Sequence, residues 1–131
     1  MSEISWDTPI READAWIAEH VMGWTNVHLD QKFGEVDQWR GYNPKSTYAW
    51  CVLPWYTRNI AAAWGIVEAF RRGAGGHAAA CVEMHVWDHL GPDCYCSIYG
   101  PDLARVDTPA HTDMPLAISH AAYLALQGEG E

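Results

Sequence analysis

An α/β (α+β) fold, with an antiparallel sheet sandwiched by helices, is what this 131-residue sequence predicts. Two observations carry that reading. Three stretches have helical spacing and recognisable ends, and between the second and third the hydrophobic period drops from about 3.6 to 2. The length fits a single domain over residues 1–131 with one hydrophobic core.

The first helix is expected from about Pro9 to Met22, with Asp7 or Thr8 as cap, Pro9 at the first helical position and Gly23 at the left-handed stop. Ile10, Ala13, Trp16, Ile17 and Val21 recur at three and four and form its core stripe, which leaves Arg11, Glu12, Asp14 and Glu19 facing water. A second helix runs from Thr57, read as its cap, to Gly73, with Ile60, Ala63, Trp64, Val67 and Phe70 as the buried stripe. The third has Thr112 or Asp113 as cap, Pro115 in its first turn and Gly128 at its end. Leu116, Ala117, Ala121, Leu124 and Leu126 are its packing residues.

Residues 81–99 read as a hairpin. Val82, Met84 and Val86 alternate with Glu83, His85 and Trp87; Gly91-Pro92-Asp93 turns the chain; Cys94, Cys96 and Ile98 then alternate with Tyr95, Ser97 and Tyr99. This hairpin is expected at the centre of the sheet, and after a second turn at Gly100-Pro101-Asp102 a short third strand is expected over Leu103 to Asp107. Weaker strand signals lie at Asn26 to Leu29, Glu35 to Gly41 and Tyr48 to Leu53.

Eight Lys+Arg against 17 Asp+Glu give a net charge of −9, which disfavours DNA, RNA or an anionic membrane as partner. A phosphate-bearing ligand would need a local positive site. The chain has no apolar run of membrane-spanning length, and its start lacks the zones of a signal peptide, so a cytoplasmic protein is expected. Cys51, Cys81, Cys94 and Cys96 then read as reduced, mostly buried thiols. Eight tryptophans and six tyrosines read first as filling a small core with few Leu and Ile; together with the short terminal helices they also lead to the expectation that some apolar surface is buried between identical chains, a homo-oligomer.

Three blocks carry a family resemblance: Ala13-Asp14-Ala15-Trp16-Ile17-Ala18-Glu19-His20-Val21-Met22-Gly23-Trp24, Tyr56-Thr57-Arg58-Asn59-Ile60-Ala61-Ala62-Ala63-Trp64-Gly65-Ile66-Val67-Glu68, and Pro115-Leu116-Ala117-Ile118-Ser119-His120-Ala121-Ala122. In order and spacing the chain resembles the phage ABA sandwich domain family, whose motifs are mainly packing motifs. It departs from the family at Ser119 and His120, where a Cys and a basic residue are usual, and at Tyr56-Thr57-Arg58-Asn59, where the second helix often opens Ser-Thr-Asp. The resemblance implies a phage or prophage protein. More distantly, it is similar to Thoeris anti-defence proteins, which implies sequestration of a cyclic nucleotide-like immune signal without turnover.

The chemistry in the residues agrees with a binder more than an enzyme. No Gly-x-Ser-x-Gly elbow and no phosphate loop ahead of a helix is present, and no catalytic residue is assigned. His85, His89, Cys94 and Cys96 lack metal-ligand spacing, so neither metal nor cofactor is expected. The face bearing Glu83 and His85 forms a polar constellation if covered, with Arg58 or Arg105 as donor to Glu83.

Ligand-binding candidates cluster at the start of the second helix: Trp55 or Tyr56 to stack on a base, and Thr57, Arg58, Asn59 and first-turn amides to take phosphate. His111 and Thr112, before the third helix, form a second such terminus. The alternative is a phage structural or protein-interaction module with no small-molecule ligand, which would expose a broad apolar patch.

Overall fold

A computed structural model describes residues 6, 10–30, 38–43, 51–73, 79–86, 94–101 and 103–127. The elements, in chain order, are α1 (Arg11–His20), β1 (Thr25–Asp30), β2 (Gln38–Tyr42), β3 (Cys51–Val52), α2 (Ile60–Arg71), β4 (Cys81–Val86), β5 (Cys94–Tyr99), β6 (Val106–Asp107) and α3 (Met114–Gln127). The strands form two three-stranded antiparallel sheets, ordered β1-β2-β3 and β4-β5-β6. The fold is mixed α+β, as expected. The hairpin's place differs from expectation: β5 is central in its sheet and β4 is an edge.

Helix α3 is the hub, packing against β5 and β6 and against α1 and α2, while α1 also packs on β1. Its burial is almost all-round, from Pro115 through Ser119 and on through Ala121, Ala122 and Ala125. Small residues suit this place, because they let neighbouring backbones approach closely. Alternation on β5 sends Cys94, Cys96 and Ile98 into the core beside Leu116, Ala117 and Ile118.

Helix α1 starts at Arg11, with Ile10 at the cap position and no side-chain cap; the expected capping residues 7–9 lie outside the described residues. Gly23, at φ 77°, ends the run as expected, and the Trp24 N–H donates to the Ala18 carbonyl at 2.8 Å. Asp14 overturns the expected polar face, being fully buried between Ala13 and Ala15.

Helix α2 starts three residues later than expected. Its cap is Asn59, not Thr57: Asn59 Oδ1 accepts the N–H groups of Ala61 and Ala62 at 2.8 and 3.2 Å. The later start accompanies a rotated apolar stripe. Ala63, Ile66, Val67 and Phe70 are buried, whereas Ile60 and Trp64, both expected inside, are 53% and 46% exposed. The hairpin turn at 91–93 and the chain's end from Gly128 lie outside the described residues.

Candidate functional site

The segment between β3 and α2 is held to α1 by one buried carboxylate. Asp14 Oδ1 accepts the Thr57 N–H at 2.8 Å, and Asp14 Oδ2 accepts from the Arg11 guanidinium at 2.8 Å. Arg11 also donates to the carbonyls of Leu53 and Pro54. One Arg–Asp pair on successive turns of α1 therefore fixes the chain from Leu53 to Thr57. Burial pushes the Asp14 carboxyl above its ordinary range, and the Thr57 and Arg11 donors pull it back.

Trp55 projects from this clamped segment, 37% exposed, with two cations on its ring. The Arg11 guanidinium lies 4.0 Å and that of Arg58 4.7 Å from the ring centroid. Arg11 is locked by its hydrogen bonds, whereas Arg58 is exposed. Charge and aromatic surface thus converge here, in a chain whose net charge is −9.

The remaining candidates divide. Tyr56 is 4% exposed, so its ring is unavailable for stacking; burial, reinforced by the Asp14 charge, pushes its hydroxyl up to about 12. Thr57 is fully buried. Its hydroxyl makes no hydrogen bond of standard geometry, although it lies near enough to Asp14 to help hold that charge. Most of the amides expected to receive phosphate already have acceptors: Thr57 N–H is taken by Asp14, Arg58 and Asn59 N–H by the Trp55 carbonyl, and those of Ala61 and Ala62 by the Asn59 side chain. Trp55 and Arg58 remain as exposed contact groups, and Arg11 and Asp14 are the members the sequence reading missed. Their signal was an Arg–Asp pair three apart with alanines flanking the acid, a pattern that also fits a solvated helix face.

His111 and Thr112 are not part of this cluster. Thr112 is exposed, and His111 is buried, with its Nε2 2.9 Å from His120 Nδ1; the His120 ring stacks on Trp6. His120 stands on α3 beside Ser119, whose hydroxyl donates to the Tyr56 carbonyl at 3.1 Å. The chain's departure from the family at 119–120 thus supplies a tie between α3 and the Trp55 segment and one half of a histidine pair.

The expected polar constellation does form on the outer face of β4-β5-β6. Glu83 accepts from the Tyr99 hydroxyl at 2.8 Å and from Arg105 at 3.2 Å, with His85 Nε2 at 3.3 Å. Arg105 also reaches Asp107, which accepts from the Ser97 hydroxyl. Of the two donors considered for Glu83, Arg105 is the one used. These bonds hold Glu83 and Asp107 below the ordinary carboxylate range, chiefly through Tyr99 and Ser97 respectively. Ser97 is fully buried, so its hydroxyl is turned to Asp107 and away from solvent, whereas Glu83, Arg105 and Asp107 stand partly in solvent. Of the thiols, Cys94 and Cys96 are buried and Cys81 is exposed; burial pushes Cys96 up to about 12. No cluster of three or more metal-ligating side chains occurs among the described residues.

Helix, strand hairpin and closing helix in this order make a mixed α+β domain. The family model of the phage ABA sandwich domain matches residues 15–123, and the chain belongs to that family. Comparison with curated proteins and with solved structures returned no match. No helix among the described residues is long and apolar enough to cross a membrane.

Proposed function

We propose that this phage-family protein is a non-enzymatic binder that captures a nucleotide-like immune signal at Trp55 and Arg58 and withholds it from the host. The observation that carries the reading is the half-exposed Trp55 ring bearing two guanidinium groups in an otherwise acidic chain. Arg58 is the solvent-exposed partner of the two, Arg11 being held by its hydrogen bonds. A base stacking on the indole displaces it, and the freed guanidinium turns to phosphate, exchanging a cation–π contact for a charge-assisted hydrogen bond.

Capture, not turnover, is supported by how the neighbouring groups are used. Asp14 is bound to Arg11 and Thr57, and Asn59 caps α2, so both of these side chains are engaged in holding the fold. The test is purification without added nucleotide, with absorbance near 260 nm and mass spectrometry of whatever heating releases. Calorimetric titration with cyclic dinucleotides, cyclic trinucleotides and cyclic ADP-ribose isomers follows, with recovery of the ligand. Intact ligand recovered at one molecule per site supports capture; altered ligand, or no binding across the panel, overturns it.

A second reading, a protein-interaction module, is favoured by Ile60 and Trp64, which stand four residues apart on α2 with about half of each side chain exposed. It predicts that Trp64→Ala abolishes partner binding while the Trp55 surface is dispensable.

A further inference from the structure

Among the described residues, strand β4 is an edge of its sheet, with an unusual composition. Edge strands are normally blunted by Lys, Pro or bulges; Cys-Val-Glu-Met-His-Val has none of these and pairs with β5 in unbroken register from Cys81↔Tyr99 to Val86↔Cys94. Its core-side residues stay open at this edge, with Met84 38% and Val86 70% exposed.

The direction of the edge groups follows from β5. Cys94 exchanges both backbone hydrogen bonds with His111, and Cys96 accepts from the Thr108 N–H while donating to its hydroxyl. In an antiparallel ladder a residue sends N–H and C=O to the same side, and successive residues alternate. Tyr95, Ser97 and Tyr99 therefore point to β4, where their partners His85, Glu83 and Cys81 return the bonds. Val82, Met84 and Val86 send N–H and C=O outward, and among the described residues no backbone hydrogen bond reaches them from that side.

We propose that β4 pairs antiparallel with β4 of a second copy of this chain, with Met84 opposite Met84 at the two-fold axis, joining two three-stranded sheets into one of six. The strand is self-complementary in this register. Val82 faces Val86 of the copy, Met84 faces Met84, and all three outward pairs form hydrogen-bonded rungs. Glu83 falls opposite His85 of the copy, so a carboxylate acceptor faces an imidazole that can donate. Sliding by one rung to centre the axis on Glu83 sets two carboxylates opposite each other, which is unfavourable. The hollow of about 410 Å³ lined by Met84, His85, Val86 and Tyr95 lies where the copy's Val82 and Glu83 arrive. Ile60 and Trp64, exposed on the helix that packs against β4, add apolar surface on the chain that dimerises. The pairing does not depend on the ligand reading.

Light scattering on the full chain is expected to give twice the 14.7 kDa chain mass, and Met84→Lys, which sets two ammonium groups face to face at the axis, to return it to one. Should Met84→Lys fail to fold, cysteine cross-linking decides. Opposed α-carbons in a hydrogen-bonded rung are about 5.5 Å apart, within disulfide reach, so Met84→Cys cross-links to itself under mild oxidation. Val82→Cys, whose copies lie roughly 14 Å apart, does not, but cross-links when mixed with Val86→Cys. Peptide mapping separates these bonds from any made by the native cysteines. A monomer mass up to submillimolar concentration, a Met84→Lys protein that stays dimeric, or a dimer in which Met84→Cys fails to cross-link would each overturn the proposal.

Discussion

Asp14 on α1 accepts the backbone N–H of Thr57 at 2.8 Å across 43 residues of sequence, and this bond ties the segment that leads into α2 to the first helix. The carboxylate is fully buried and has two donors, Thr57 and Arg11. Removing it leaves a buried amide and a guanidinium without their acceptor. Asp14→Ala is therefore expected to cost about 3–5 kcal/mol, read by urea denaturation. A loss under about 1 kcal/mol would show that Asp14 is an ordinary surface acid.

The rotated face of α2 makes a contrast within one helix. Phe70 is 1% exposed and packs in the core, so Phe70→Ala should cost about 3–5 kcal/mol. Trp64→Ala, despite removing a larger side chain, should cost under about 1 kcal/mol because the indole is half in solvent. Melting curves of the two variants at one concentration, with oligomeric state controlled, give the comparison; equal losses would refute the rotation.

What the sequence could reveal followed from periodicity, which is local. Period 2 in residues 81–99 located both strands and both faces, and the 3.6-residue spacing located three helices. The rotation of α2 was not legible, because Ile60-Ala61-Ala62-Ala63-Trp64 is apolar on every side and gives no polar face to orient it. Asp14 was misplaced for a related reason: an acid three residues from an Arg fits a solvated face, and only the return of the chain at Leu53 to Thr57 buries it. Of the candidate residues, Trp55 and Arg58 are exposed and in contact, whereas Tyr56 and Thr57 are buried, which their sequence neighbourhood does not encode.

Acidification should protonate Asp14 and Asp107 in a definite order. Burial raises Asp14, while the hydroxyls of Tyr99 and Ser97, with Arg105, lower Glu83 and Asp107. Glu83 and Asp107 therefore contribute stability that is fully present above the ordinary carboxylate range and is lost as pH falls through their lowered values. Asp14 has the opposite sign, its shift favouring the folded state at low pH and losing that advantage as pH rises through the raised value. Carboxyl carbon NMR from neutral pH downward should show Asp14 titrating before Asp107, since the two start from the same ordinary value and are shifted in opposite directions. Asp107 taking a proton before Asp14 would contradict the assignment.

Gly41 tests the packing of the first sheet on α1's exit. A methyl group there would lie 2.9 Å from Val27 Cγ2, 3.1 Å from Trp24 Cε3 and 3.2 Å from the Val27 α-carbon. Trp24 is buried, and the nearest backbone has little room to yield. Gly41→Ala should destabilise by about 1–3 kcal/mol, the range for overpacking, even though alanine costs a strand less conformational entropy. A neutral or stabilised variant by thermal melt would show that β1 and β2 separate more easily than their register implies.

The two arginines on Trp55 should separate stability from binding. Arg11 holds Asp14 and the carbonyls of Leu53 and Pro54 and is mostly covered, so Arg11→Ala frees the segment and lowers stability by about 3–5 kcal/mol. Arg58 is exposed and touches the ring, so Arg58→Ala should change stability by no more than about 0.5 kcal/mol. If Trp55 and Arg58 capture a phosphate-bearing ligand, the same Arg58→Ala change removes a charge-assisted contact and weakens affinity by roughly ten- to hundred-fold, equivalent to about 1.5–3 kcal/mol. Calorimetry with the ligand found by mass spectrometry, alongside denaturation of each variant, reads both quantities. Unchanged affinity in Arg58→Ala would remove the Trp55 surface from the binding reaction and leave the exposed face of α2 as the working surface of the protein.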